Sequence, residues 1–160
     1  MQQQIVPNLW FDTEAEQAAD FYCSIFPDSR ILHIARYGEA GPREAGTVMV
    51  VEFELNGNRV VAINGGPEFT FNEALSLQVR CDTQEEIDRF WERLTDGGEE
   101  GPCGWLKDRY GLSWQITPAN LDELFAGDDA ERSRRVMEAM FQMKKLDIAA
   151  LRAAGDSVAA

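Results

Sequence analysis

The sequence predicts an α+β fold of two tandem β-α-β-β-β modules with helices at the C-terminal end. Three observations carry this reading. The acidic helix start Asp12-Thr13-Glu14-Ala15-Glu16 recurs 70 positions later as Asp82-Thr83-Gln84-Glu85-Glu86. Each copy follows a strand-like run and precedes further ones, so the repeat is one of whole modules. Asn56-Gly57 sits between two alternating apolar runs and signals a two-residue hairpin, because both residues tolerate positive φ.

The elements follow in chain order. Ile5 to Phe11 reads as a strand, with Val6, Asn8 and Trp10 on one face and Pro7, Leu9 and Phe11 on the other. Asp12 and Thr13 supply an N-cap, with Glu14 and Glu16 in the first turn. Ala15, Ala18, Ala19, Tyr22 and Phe26 form a helical stripe, which Pro27-Asp28 ends. Ser29 to Tyr37 is a strand carrying the single histidine, His33, read as structural. After a Gly/Pro loop, Thr47 to Leu55 points Met49, Val51, Phe53 and Leu55 one way and Glu52 and Glu54 the other. Asn58 to Asn64 returns.

Gly65-Gly66-Pro67 breaks the chain. The aromatics of the following loop, Phe69 and Phe71, either cap a pocket or cover the join between modules. Ala74 to Arg80 opens the second module. A helix from Cys81-Asp82-Thr83 buries Ile87, Phe90, Trp91 and Leu94 and stops at Asp96-Gly97-Gly98. A short strand near Glu99 leads to a last hairpin: Cys103 to Lys107, the turn Asp108-Arg109-Tyr110-Gly111, and Ser113 to Thr117. Asp108 suits the turn because its carboxylate can hold backbone amides, and Gly111 because it takes positive φ. Trp105, Trp114, Gln115 and Cys103 on this hairpin read either as a pocket wall or as core. Helices follow over 121–125, from Asp128 or Asp129 to Met143, and from an Asp147 cap with Ile148 and Leu151 inward. The tail from Gly155 to Ala160 is expected to fray. The 160 residues are read as a single domain, with modules at about 5–64 and 74–118 and helices at about 121–154.

Composition narrows the function. A net charge of −13 argues against nucleic-acid binding, since an acidic chain repels a phosphate backbone. The basic clusters Arg132 to Arg135 and Lys144-Lys145 sit on helices, where they balance dipoles. No apolar run approaches the roughly 20 residues that span a bilayer, and Met1-Gln2-Gln3-Gln4 does not open a signal peptide. Three unpaired cysteines, Cys23, Cys81 and Cys103, fit a reducing cytoplasm.

Several motifs carry a family resemblance: Leu9-Trp10-Phe11-Asp12 with Ala15-Glu16 and Phe21-Tyr22; Tyr37-Gly38; Asn64-Gly65-Gly66-Pro67; Gln84-Glu85-Glu86; Cys103-Gly104-Trp105-Leu106-Lys107-Asp108; Tyr110-Gly111 with Ser113-Trp114-Gln115-Ile116; and Lys144 to Leu151. They resemble the vicinal oxygen chelate superfamily of glyoxalases, bleomycin-resistance proteins and dioxygenases. Within it they resemble the PhnB-like branch labelled 3-demethylubiquinone-9 3-methyltransferase. The resemblance implies a cupped mixed sheet enclosing a cavity, and a homodimer. Metal-dependent members place His and Glu ligands at positions that here hold Val6, Ile63 or Asn64, Ser76 and Gln115. None is a carboxylate or imidazole, so no metal is expected. Gly65-Gly66-Pro67, the nearest glycine-rich turn, is a poor cradle for S-adenosylmethionine, and no cofactor is expected.

The expected function is therefore binding of a small molecule, or metal-independent catalysis of unassigned type, inside the cup. The expected ligand-binding residues are Asn8, Trp10, Asn64, Phe69, Ser76, Gln78, Cys103, Trp105, Trp114 and Gln115. Cys103 is the nucleophile nearest this wall, and Lys107 and Tyr110 are candidate acids or bases. Methyl transfer to a quinone-like phenol, implied by the family label, and a non-catalytic dimeric module with a filled cup are the alternatives. The C-terminal helix bears Val136, Met137, Met140, Phe141 and Met143 on more than one face, which independently favours a dimer.

Overall fold

The computed structural model describes residues 5–125 and 129–157. The chain divides into two compact units, Met1–Thr70 and Phe71–Ala160. The first contains β1 (Asn8–Phe11), α1 (Ala15–Ile25), β2 (Arg30–Arg36), β3 (Val48–Leu55) and β4 (Asn58–Asn64). Its sheet runs β1-β4-β3-β2, with β1 parallel to β4 and the other pairs antiparallel. The second contains β5 (Ser76–Cys81), α2 (Gln84–Thr95), β6 (Glu99–Glu100), β7 (Trp105–Lys107) and β8 (Ser113–Pro118). Its sheet repeats the topology as β5-β8-β7-β6, with β5 parallel to β8. The two mixed sheets, each with its own helix, are the α+β repeat that the 70-residue offset implied.

In the first unit α1 lies on one face of the sheet. Ala15, Ala18, Ala19 and Tyr22 are fully buried against Leu9, Val51 and Phe53. Three alanines keep the helix close, so the Tyr22 ring stacks on Phe53 with centroids 6.4 Å apart. The β3–β4 turn puts Asn56 at φ 48° and Gly57 at φ 74°, the left-handed pair that a two-residue hairpin needs.

One helix cap differs from its sequence reading. α1 starts at Ala15, and neither Asp12 nor Thr13 caps it. The Ala15 N–H instead donates to Oδ1 of Asn64 at 2.8 Å, and Asn64 Nδ2 donates to the Val48 carbonyl at 3.1 Å. Asn64 ends β4, whose parallel neighbour β1 delivers the chain into α1, so the amide reaches the helix start directly. The repeat at α2 caps as read. Thr83 Oγ1 accepts from Glu86 N at 3.2 Å, and Glu86 Oε2 accepts from Asp82 N at 2.8 Å.

In the second unit α2 buries Ile87, Phe90, Trp91 and Leu94, the four residues of the predicted stripe. Helices α3 (Leu121–Phe125), α4 (Ala130–Phe141) and α5 (Ile148–Asp156) follow. Leu124, Val136, Leu146 and Leu151 form their own small core. Asp129 caps α4 and Asp147 caps α5 through their carboxylates; Asp128 lies outside the described residues. Gly155 does not fray: it is buried in α5, and a Cβ there would stand 3.0 Å from Val136. Residues 158–160 of the expected tail lie outside the described residues. Among the described residues no helix is long and apolar enough to cross a membrane.

Candidate functional site

The last hairpin is held by Asp108. Its Oδ1 accepts the backbone N–H groups of Tyr110 and Leu112 at 2.8 and 3.1 Å, and Gly111 takes φ 84°. The turn fixes the register Lys107↔Ser113, Leu106↔Trp114 and Trp105↔Gln115. Facing residues on paired strands share a side of the sheet, so this register sorts the hairpin's side chains. Leu106, Trp114 and Ile116 turn towards α2 and are buried. Trp105, Lys107, Ser113 and Gln115 turn the other way.

The register extends across the whole sheet. Glu99 pairs with Lys107, Lys107 with Ser113, and Ser113 with Ser76. One step along, Trp105 pairs with Gln115 and Gln115 with Gln78. The face opposite α2 thus carries two rows of polar side chains, the second ending in the Trp105 indole. Gln115 Nε2 donates to Ser76 Oγ at 2.8 Å, and Gln78 Nε2 donates to Thr117 Oγ1 at 3.1 Å, so both amides are oriented by neighbouring hydroxyls.

A pocket of about 370 Å³ opens on this face, lined by Pro102, Trp105, Leu106, Lys107, Ser113 and Glu73 among others. The size suits a small organic molecule. Lys107 Nζ meets Glu73 Oε1 at 2.5 Å. That contact raises the ammonium's pKa and lowers the carboxyl's, so both stay charged through the neutral range. Ser113 is 1% exposed, and its Oγ has no hydrogen-bond partner. A buried hydroxyl without a partner costs about 1–3 kcal/mol.

The sequence-predicted residues fall into three groups. Ser76, Gln78, Trp105 and Gln115 share this face. Asn8, Trp10 and Phe69 belong to the first unit. There Trp10 and Phe69 meet edge to face at 5.1 Å, the Trp10 indole N–H donates to the Gly66 carbonyl at 2.8 Å, and Phe69 stays 65% exposed. Asn8 shares Trp10's side of β1 and is exposed.

The third group points away from any such face. Trp114 is core, 1% exposed, because it alternates with Ser113 and Gln115 and so shares the side of Leu106 and Ile116. Asn64 is buried, its side chain engaged by α1 and β3. Cys103 is not in the strand. It takes φ 56° ahead of β7, its thiol faces the Met140 carbonyl at 3.6 Å, and its N–H donates to the Met143 carbonyl. It holds the C-terminal segment and is not among the residues that line the pocket beside Trp105. Sequence reasoning passed over Ser113 and Glu73. The alternation of Leu112, Trp114 and Ile116 marks Ser113 as facing the other way, whereas nothing local marks Glu73.

The positions that hold metal ligands in metal-dependent relatives do not fit a divalent ion. Asn64 is committed to a helix, and Ser76 and Gln115 are hydrogen-bonded to each other. Among the described residues no three His, Cys, Asp or Glu side chains come together as a ligand set. A glycine-rich cradle fares no better. The Trp10 ring already lies on Gly65, where an added Cβ would come within 2.2 Å of it, and Gly66 leads into a loop.

Residues 3–117 match the 3-demethylubiquinone-9 3-methyltransferase family. The chain belongs to that family. It is the PhnB-like branch of the vicinal oxygen chelate superfamily. A PhnB protein from Bacillus cereus carrying the same label is 41% identical, with 73% of this chain and 100% of that one aligned at a TM-score of 0.66. A protein from Pseudomonas aeruginosa, 20% identical, aligns over 73% of this chain and 98% of its own at 0.60. The fosfomycin resistance protein FosX of Mesorhizobium loti, 14% identical, aligns over 77% and 96% at 0.55. These last two share the fold. No curated protein matches the chain. The family places the chain on a small-molecule-binding scaffold; the reaction is a separate matter.

Proposed function

We propose that this family member binds a small organic molecule on the second sheet, against Trp105 and over Ser113. The observation that carries the reading is the buried Ser113 hydroxyl. It lines a pocket of about 370 Å³ and lacks a partner that a ligand could supply. Ser76, Gln78 and Gln115 extend the polar wall, and Asn8, Trp10 and Phe69 form a second aromatic patch in the first unit. The ligand binds without a metal, since amides and hydroxyls are weak metal ligands and those of Ser76, Gln78, Gln115 and Thr117 are already paired among themselves. Methyl transfer draws no support from the Gly65-Gly66 turn, which is filled by the protein's own indole.

Native mass spectrometry of protein purified from its own host tests the reading. A bound small molecule that is lost in both Trp105→Ala and Ser113→Val supports it. A molecule retained by both folded variants overturns it.

A homodimer is part of the proposal. α4 turns Val136 and Met140 inward, yet leaves Met137 44% and Phe141 61% exposed one turn apart. Such an apolar pair fits a self-complementary helix contact. The chain is read as cytoplasmic.

A further inference from the structure

We infer that the pocket of the second sheet selects a cationic ligand: a ring compound bearing an ammonium group, with its ring on Trp105 and its charge between Glu73 and Glu99. The inference rests on the binding reading above and adds the ligand's charge class.

The charges on the pocket face decide it. Glu73 and Glu99 both stand beside Lys107, one through an ion pair and the other as its cross-strand partner. The single ammonium is thus shared by two carboxylates, leaving one negative charge in excess. Glu100 does not alter this count. It lines the pocket as well, but its carboxylate accepts from Trp91 Nε1 at 3.0 Å and faces Lys144 Nζ at 3.4 Å, a cation that balances its charge. An anion entering the pocket would have to detach Lys107 from Glu73 and then sit beside both carboxylates. A cation needs no rearrangement and takes up the unbalanced charge.

The walls agree with the charge. Pro102 and Trp105 give an apolar bed for a ring. The electron-rich face of an indole attracts a cation held above it. Ser113 Oγ, buried and unpartnered, supplies one directional hydrogen bond to a polar atom of the ring. The net charge of −13 further raises the local concentration of cations and depresses that of anions.

Three indoles of matched shape test the charge class: tryptamine (ammonium), tryptophol (neutral) and indole-3-propionate (carboxylate). Each is titrated into the ¹⁵N-labelled full chain while the Ser113 amide and Trp105 indole signals are followed. Tryptamine is expected to bind at these signals at least about 10-fold more tightly than indole-3-propionate, with tryptophol between them. The preference should shrink as salt rises. In the Glu73→Gln, Glu99→Gln double variant it should fall to within about 3-fold. If tryptophol or indole-3-propionate binds the same signals as tightly as tryptamine, the charge class is wrong and the binding reading stands. If none of the three moves Ser113 or Trp105 at millimolar concentration, both fail.

Discussion

Asp108 and Trp114 are joined by a buried hydrogen bond, the indole N–H donating to Oδ2 at 2.8 Å. The same carboxylate's other oxygen gathers two turn amides, so one side chain fixes both the turn and the orientation of the largest core residue in the hairpin. This arrangement sends Trp114 inward and hence Ser113 and Trp105 outward.

Asp108→Ala should therefore destabilise the protein by about 3 kcal/mol, because three donors lose this acceptor in a buried setting. Asp108→Asn keeps an acceptor for the amides but turns an N–H₂ towards the indole, and should cost about 1–2 kcal/mol. Urea unfolding measures both. A loss below about 0.5 kcal/mol for the alanine variant would show that the hairpin holds its register without the carboxylate.

Gly65 lies under the Trp10 ring so closely that a Cβ would overlap three ring atoms within 2.5 Å. Gly65→Ala should cost about 1–3 kcal/mol and displace the indole. The larger cavity made by Trp10→Ala should relieve the clash, so the double variant should be less unstable than the two costs added together. Because the turn is already occupied, wild-type protein should give no calorimetric signal with S-adenosylmethionine at millimolar concentration. Saturable stoichiometric binding would restore the methyltransferase reading.

Cys81 is 1% exposed, and burial, with a contribution from Glu86, pushes its thiol up to about 12 from an ordinary 9.0. At neutral pH it should be the last of the three cysteines to label with a thiol reagent in the native state. The sign of the pH effect follows from the direction of the shift. Below pH 9 the thiol is protonated whether the chain is folded or not. Above it the unfolded chain ionises first, and stability falls until the folded thiol ionises too. Between pH 9 and about 12 wild type should lose about 1 kcal/mol per pH unit more than Cys81→Ala. Parallel pH profiles would contradict the shift.

What the sequence revealed and what it hid follow from the range of each interaction. Asn56-Gly57, the α2 stripe and the Asp147 cap depend on neighbours within a turn, and each was readable locally. The α1 cap was not, because Asn64 reaches Ala15 across 49 positions and only the parallel β1–β4 pairing brings them together. The hairpin lies between these cases. Two tryptophans nine residues apart looked alike, and one residue of register separates a core indole from a pocket indole. The apolar alternation of Leu112, Trp114 and Ile116 held that information. Glu73 enters from the loop before β5 and meets Lys107 only in the folded unit, so composition gave no hint of it.

Assembly gives the last prediction. The apolar residues of α4 separate into two sets. Val136 and Met140 pack on Leu124, Leu146 and Leu151, whereas Met137 and Phe141 point outward, 44% and 61% exposed. A helix needs only its inner set to dock on its own core, so the outer pair is free to serve a second contact. In a two-fold interface each substitution is felt twice, once in each protomer. Phe141→Asp should therefore weaken association by at least about 100-fold, since two buried rings are replaced by two facing carboxylates. It should leave the monomer fold intact, because the residue is not in the core. Light scattering at tens of micromolar protein should give wild type about twice 18.0 kDa and the variant about 18.0 kDa. A wild-type mass near 18.0 kDa would refute the dimer. A folded Phe141→Asp protein that remains dimeric would remove α4 from the interface and leave the exposed sheet faces as the surface to test next.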